Sequence, residues 1–395
     1  MLIAGEASGD ALGAELVREL RAALARTSTY SASAQPLEAD LAPEFFGAGG
    51  PRMAEAGVEM AFDLTQESLI GLPGPKVYLR LRRRMNQLIA LAREREPHAI
   101  ICVDFQLFNS TFAAAVAKYV RDRAGTFNNW APKLIKYISP QVWASRAWRA
   151  QKIARDFDMV LSIIPFERDW YAGRTPGLRV EFIGHPMVER LAGVTRRRNN
   201  DPAIAPRIVL LPGSRRGELK RHWPVMLEAW RRVQAAIPTA RAKAVLPNED
   251  LAAWARAVAA GSPIEAQAGG LDAALAEADL AISKTGTITL ECAFFGVPAV
   301  TMYKVSPLEY QIGKRIVKVK WASMPNLLAN EAIFPEFIQA AASPDNLAEA
   351  ALKLLKDAQL RSQVRTKLEN IVSSLGGPGA SRRAAESILS LMRVT

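Results

Sequence analysis

Short apolar runs alternate with amphipathic helical patterns along most of this 395-residue chain, and they do so in two separate series. Residues 2–4, 45–47, 99–103, 134–138, 159–164 and 180–183 read as strands, with periodic segments between most of them. That alternation demands a parallel sheet, because each strand must be returned to the same edge by a crossover helix. A second series begins at 207–211 and continues with 242–246, 280–283 and 299–302, interleaved with helical segments such as 224–236 and 250–260. Between the two lies the polar stretch 196–202, whose charge and turn chemistry suit a linker. The expected organisation is a first α/β domain over 1–186, a linker over 187–206, a second α/β domain over 207–344 and C-terminal helices over 345–395. Those helices are broken by Gly376-Gly377-Pro378-Gly379.

Composition narrows the class. With 49% hydrophobic and 23% charged residues the chain can bury a core. Its apolar runs fall short of the roughly 18 residues that a membrane span needs. Two cysteines, Cys102 and Cys292, make a disulfide framework implausible, and His98, His185 and His222 lack metal-ligand spacing. No charged leader precedes the first apolar stretch and neither end carries a lipidation pattern, so a cytoplasmic protein is expected. The net charge of +12, from 51 basic and 39 acidic residues, calls for an anionic partner. Nucleic acid, an acidic membrane surface and phosphorylated substrates all satisfy it.

Two loops of the second half carry chemistry. In "IVLLPGSRRGELKRHWP" a buried strand turns at Pro212-Gly213, and Ser214-Arg215-Arg216-Gly217 leads into a helix starting near Glu218. Exposed amides at a helix start favour an anion, and an arginine forks onto two phosphate oxygens. In "DLAISKTGTITLECAFFGVPAV" the stretch Ser283-Lys284-Thr285-Gly286-Thr287 again joins strand to helix, with Glu291 one helical turn beyond Thr287. The loop could meet a pyrophosphate and Glu291 a ribose, or Thr287 and Glu291 could be a cap and an exposed helix residue. A solvated basic turn and a cap explain each loop singly but not the pair. Gly47-Ala48-Gly49-Gly50-Pro51-Arg52 lacks the third glycine of a dinucleotide fingerprint, and no Walker-type loop occurs.

In the first half, Gly5-Glu6-Ala7-Ser8-Gly9-Asp10 follows the first strand and enters a helix whose stripe is Leu12, Leu16, Leu20 and Leu24. Ser8 or Asp10 suits its N-cap, and the loop lies where open α/β sheets place ligands. Asp104 follows the strand 99–103 and reads either as a proton acceptor or as a turn aspartate. Trp143 and Trp148, within "KYISPQVWASRAWRAQKI", suit sugar faces or simply core and rim. The segment 69–84 mixes Leu69, Ile70, Leu72 and Leu79 with Lys76, Arg80, Arg82, Arg83 and Arg84. It reads as an interfacial helix on anionic lipid or as an ordinary amphipathic helix with a solvated basic face.

Together these stretches resemble one family, the lipid-A-disaccharide synthases, inverting glycosyltransferases of the GT-B fold. The resemblance runs over nearly the whole chain through "AGEASGD" with Gly13-Ala14, "GAGGPRM", "YISPQVWA", "IPFE", "FIGHPMV", "LLPGSR", "SKTGTITLE" and "MPNLLA" with "PEFIQ". It implies an α/β fold of two Rossmann-like parallel-sheet domains facing a cleft. The implied reaction joins UDP-2,3-diacylglucosamine to 2,3-diacylglucosamine 1-phosphate (lipid X), giving a β-1,6 disaccharide 1-phosphate and UDP, with no metal and no cofactor. By the resemblance Asp104 is the general base, with Glu6, Ser8 and Asp10 near the reacting sugars. Arg215 holds the diphosphate with Gly213, Ser214, Thr285, Gly286 and Thr287, Glu291 meets the ribose, and Asn326 lies beside the donor site.

The motif at Asp104 departs from the family by carrying Gln106 for a proline and Leu107 where some members have a second acid. At 330–332 the chain has Asn-Glu-Ala where many members have Gly-Arg-Glu, and Arg315, Lys318 and Lys320 lie nearby. Diacylated substrates imply peripheral binding at the cytoplasmic face of the inner membrane. The leucines of 69–84 would sit beside acyl chains and its cations on anionic headgroups, each worth about 1 kcal/mol. A homodimer stays open, and nucleic acid is not an expected partner. The rivals are another GT-B enzyme using UDP-N-acetylglucosamine, either a peptidoglycan-precursor transferase or an epimerase, and a non-catalytic nucleic-acid-binding protein. For the last, the basic residues are spread over both halves rather than clustered on one module.

Overall fold

The computed structural model describes residues 1–30, 43–67, 75–125, 127–194, 205–262 and 264–393. The chain divides into two compact units, Met1–Arg190 with Leu375–Thr395, and Leu191–Ser374. In the first unit β1 (Leu2–Ala4), β2 (Phe46–Gly49), β3 (Glu59–Asp63), β4 (Ala99–Val103), β5 (Lys133–Tyr137), β6 (Met159–Ser162) and β7 (Arg179–Phe182) form one sheet in the order β3-β2-β1-β4-β5-β6-β7. Every neighbouring pair is parallel, with Leu2 opposite Gly47 on one side and Ile101 on the other.

Successive strand residues face opposite sides, so one sheet buries two cores. Ile3 and Cys102 join Phe108, Phe112 and Val116 of the helix Gln106–Arg123. Leu2, Ala4, Ile101 and Val103 join Leu16, Val17 and Leu20 of the opening helix Ala7–Tyr30. The second face is completed by the last helix, Ala380–Arg393, through Ala384, Ala385 and Ile388. Arg383 Nε donates to the Ile183 carbonyl at 2.7 Å and fixes that helix to the end of β7.

The opening helix begins at Ala7, so Ser8 and Asp10 lie inside its first turn and neither is its N-cap. Buried Asp10 instead caps the helix Pro51–Glu55. Its Oδ1 accepts from the amides of Gly50 at 2.8 Å and Met53 at 3.1 Å, and Oδ2 from that of Arg52 at 3.0 Å. A Cβ on Gly50 would come within 2.7 Å of the Asp10 carboxylate, and one on Gly13 within 2.7 Å of Met53 Sδ. "AGEASGD" and "GAGGPRM" are therefore two halves of one packed joint.

The second unit holds β8 (Arg207–Leu211), β9 (Arg241–Leu246), β10 (Glu265–Ala268), β11 (Leu280–Lys284), β12 (Ala299–Tyr303) and β13 (Glu336–Ile338), all parallel, in the order β10-β9-β8-β11-β12-β13. The helix after β8, Arg216–Ala236, starts two residues earlier than expected and runs through Pro224, burying Trp223 and Trp230. The burial of two indoles outweighs the one helical hydrogen bond that proline forfeits. Pro344–Lys356 packs against this helix, and Ala358–Ser374 against Ile288–Phe294. No helix among the described residues is long and apolar enough to cross a membrane.

Candidate functional site

In an open parallel sheet, ligands gather beyond the carboxyl ends of the strands where the strand order reverses. In the second unit that point lies between β8 and β11, and the loops leaving these two strands are the ones singled out from the sequence. They border a pocket of about 310 Å³ whose lining includes Gly213, Ser214, Lys284, Thr285, Thr287 and Glu291. Gly213 has φ +119°, and a Cβ there would stand 2.6 Å from Glu218 Oε2, so only glycine lets the loop pass. Arg215 follows as the exposed, extended N-cap residue of Arg216–Ala236. Glu291 sits in the first turn of Ile288–Phe294, with Thr287 as that helix's N-cap residue.

The two loops are tied by a pair that sequence reasoning missed. Glu218 Oε1 lies 3.0 Å from Lys284 Nζ, and its Oε2 accepts from the Ser214 amide at 3.2 Å. Burial alone would raise the Glu218 carboxyl, but Lys284, the Ser214 amide and the charge of Arg215 together hold it below its ordinary range. It stays ionised and offsets Lys284, while Arg215 and Arg216 remain exposed cations at that loop's entrance. Buried His222 anchors the same loop, with Nδ1 2.8 Å from the Pro212 carbonyl and Nε2 accepting from the Lys304 amide at 3.0 Å. Burial lowers its pKa, which suits a neutral ring donating from Nδ1. Leu246 at the end of β9, Pro247 just after it, and Gly269 and Leu271 after β10 also line the pocket and were missed. Their only sequence signal was turn residues at strand ends.

The first unit reverses its order between β1 and β4; Asp104 follows β4 directly, and Glu6 follows β1 after Gly5. Gly5 is buried because the Phe105 ring covers it, and a Cβ there would fall 2.2 Å from that ring. Asp104 and Phe105 both adopt left-handed backbone, φ 43° and 39°, a conformation that costs about 1–2 kcal/mol per residue outside glycine. Three contacts hold it. The Asp104 amide donates to the Tyr137 carbonyl at 2.9 Å, and the Asp104 carbonyl accepts from Lys136 Nζ at 2.6 Å and from Asn109 Nδ2 at 3.0 Å. Among the described residues no hydrogen bond occupies the Asp104 carboxylate. Strain sustained by its surroundings at a partly buried aspartate is the pattern of a functional position. Lys136 is fully buried, and that burial lowers its pKa against the opposing pull of Cys102 and Asp104.

Other expected positions have different tasks. Asp10 is consumed by three amides, as described above. Asn326 is buried, and its side chain is spent within the fold, on Phe334, Ile333 and Glu336. Trp143 is core, donating to Glu167 Oε1 at 2.8 Å, whereas Trp148 is 67% exposed. Burial pushes the Glu167 carboxyl up to about 7 against the hydrogen bonds from Ser162 and Trp143, so the glutamate of "IPFE" is a buried tie between β6 and "QVWA". Leu69, Ile70 and Leu72 lie outside the described residues. On the helix Pro75–Arg95, Leu79 is 62% exposed and Arg80, Arg82 and Arg83 are exposed, while Arg84 stacks on Phe62 at 4.5 Å.

Comparison with known proteins decides the family. The model of the lipid-A-disaccharide synthetase family matches residues 1–389. This chain belongs to that family. The lipid-A-disaccharide synthase of Trichlorobacter lovleyi is 36% identical over 99% of this chain and 97% of its own length, and that of Geobacter sulfurreducens is 33% identical over 99% and 97%. Among solved structures, S. aureus MnaA with UDP superposes with a TM-score of 0.61 at 12% identity, covering 100% of this chain and 96% of that one. Acinetobacter baumannii MurG gives 0.54 at 13%, covering 99% and 98%. These last two speak for the fold alone. The architecture is GT-B, and a lipid-A-disaccharide synthase is a glycosyltransferase of lipid A biosynthesis.

Proposed function

We propose that this enzyme joins UDP-2,3-diacylglucosamine to 2,3-diacylglucosamine 1-phosphate, forming the β-1,6 disaccharide 1-phosphate and releasing UDP. The carrying observation is the pocket shared by the two loops of the β8/β11 switch point. A diphosphate there meets the amides that open Arg216–Ala236, the hydroxyls of Thr285 and Thr287, and the guanidinium of Arg215. Glu291 accepts the ribose hydroxyls. The acceptor's 6-hydroxyl oxygen attacks the donor C1 from the face opposite the diphosphate as the C1–O bond breaks, which inverts that carbon. The hydroxyl proton passes to Asp104, and charge collects on departing UDP, where preoriented dipoles need no reorganisation. Glu6, exposed at the end of β1, belongs to the same reacting region.

Both substrates carry acyl chains, so the enzyme works at a lipid surface. The exposed Tyr78 and Leu79 beside Arg80, Arg82 and Arg83 support peripheral binding to the anionic cytoplasmic face of the inner membrane.

Mass spectrometry after incubation with UDP-2,3-diacylglucosamine, with and without lipid X, tests the reading. Disaccharide 1-phosphate and UDP should appear only with both substrates. Transfer from UDP-N-acetylglucosamine, or its epimerisation, in place of this product would reassign the chemistry. Arg215→Ala should raise the donor KM and lower kcat together, for a loss in kcat/KM of about 10²–10³, as for removal of a charge-stabilising donor. Unchanged UDP affinity by calorimetry would take Arg215 off the diphosphate.

A further inference from the structure

The helix Pro307–Ile316 buries none of its ten residues. A surface helix ordinarily turns its apolar stripe to the core. Here Leu308, Ile312 and Ile316, spaced four apart on one face, are 72%, 50% and 38% exposed, and Val317 just beyond is 51% exposed. The helix's one acid is occupied at its start. Glu309 Oε2 accepts from the Ser306 amide at 2.9 Å in a capping box and pairs with Arg221 at 3.7 Å. From 310 to 330 the sequence has no further Asp or Glu, but it has Lys314, Arg315, Lys318 and Lys320, all exposed. Lys320 also lies over the ring of Trp321 at 4.8 Å. An exposed apolar stripe that runs into a purely cationic segment with a tryptophan is complementary to anionic headgroups over acyl chains.

The location adds to this. The helix follows β12 at the same carboxyl edge of the sheet as the two pocket loops, and His222 links the Pro212 carbonyl to the Lys304 amide. We propose that Pro307–Ile316 and the basic segment after it form a lipid-binding surface of the second unit, whose occupant is an anionic phospholipid membrane. A sugar nucleotide can then reach the pocket while its acyl chains remain in the bilayer. This surface belongs to the second unit and the helix Pro75–Arg95 to the first, and binding to it does not require the proposed substrates.

The test is cosedimentation of the full chain with vesicles of phosphatidylglycerol and phosphatidylcholine, and with phosphatidylcholine alone. One variant is Leu308→Ser with Ile312→Ser and Ile316→Ser, another Lys314→Ser with Arg315→Ser, Lys318→Ser and Lys320→Ser. Each should lower partition onto the anionic vesicles by about tenfold or more. The loss in the basic variant should shrink as salt rises, whereas that in the apolar variant should persist. The apolar variant should bind UDP as the parent does, since none of its changed residues lines the pocket. Leu308→Ser alone, at the most exposed position, gives a smaller loss in the same direction should the triple change prevent folding. Parental partition by both multiple variants overturns the proposal. So does a change in oligomeric state with unchanged partition, which would give the face to a second copy of the chain. Loss confined to an Arg80→Ser, Arg82→Ser, Arg83→Ser variant would leave Pro75–Arg95 as the membrane element and likewise end the proposal.

Discussion

Asp104→Asn should lower kcat by about 10²–10⁴ while UDP affinity stays unchanged, as the general-base role proposed for it requires. The substitution isolates the chemistry because the surrounding structure does not depend on the carboxylate. Asparagine tolerates left-handed backbone as aspartate does, so φ 43° is kept. The contacts fixing the turn run through main-chain atoms, the Asp104 carbonyl to Lys136 and Asn109 and its amide to Tyr137. Asn109 Nδ2 also reaches the carbonyls of Val103 at 3.0 Å and Ile3 at 3.3 Å, clamping the ends of β4 and β1 whatever residue 104 carries. Steady-state kinetics with calorimetry of UDP binding reads both quantities. Parental turnover in the variant would move the base to Glu6, since Asp10 is already occupied by three amides.

Fold legibility followed burial. Most strands read from the sequence have apolar runs packed on both faces, such as β4 and β8, and the edge strand β7, buried only at Val180, was read as well. The three that escaped, β3, β10 and β13, are all sheet edges. Each opens on a glutamate and none is buried throughout, so no continuous apolar run marks them. Pro224 misled for a related reason. A proline reads locally as a helix start, but the packing of Trp223 and Trp230 is a tertiary term that a local rule does not contain.

The site divides along the same line. Gly213, Thr285 and Thr287 were legible because turn chemistry at a strand end is local. The Glu218–Lys284 pair was not, because its partners come from different strands and only the sheet order makes β8 and β11 neighbours. Motif membership also proved ambiguous about role. Asp10, Glu167 and Asn326 all belong to the stretches that carry the family resemblance, yet each satisfies buried groups of the fold. A polar residue in a motif can serve the substrate or the scaffold, and only its hydrogen-bond partners distinguish the two.

Asn326→Ala turns that distinction into a measurement. Asn326 Oδ1 accepts from the amides of Ile333 at 2.9 Å and Phe334 at 2.8 Å, while Nδ2 donates to the Phe334 carbonyl and to Glu336 Oε1, each at 2.8 Å. Glu336 in turn accepts from the amides of Ala322 and Ser323, both at 2.8 Å, so "MPNLLA" and "PEFIQ" are bolted together through these two side chains. Alanine would strand two amides and a carbonyl beside buried Ile333 and Phe334, at about 1–3 kcal/mol for each unsatisfied group. Local relaxation recovers part of that, which leaves an expected destabilisation of about 3–5 kcal/mol, among the largest that single substitutions give. Urea unfolding should show it as a lower midpoint with an unchanged slope. Asn326→Asp should not rescue, because it keeps the acceptor for the two amides but sets a second carboxylate against Glu336. A residue that instead contacted the nucleotide would raise the donor KM on substitution and leave the unfolding midpoint where it was.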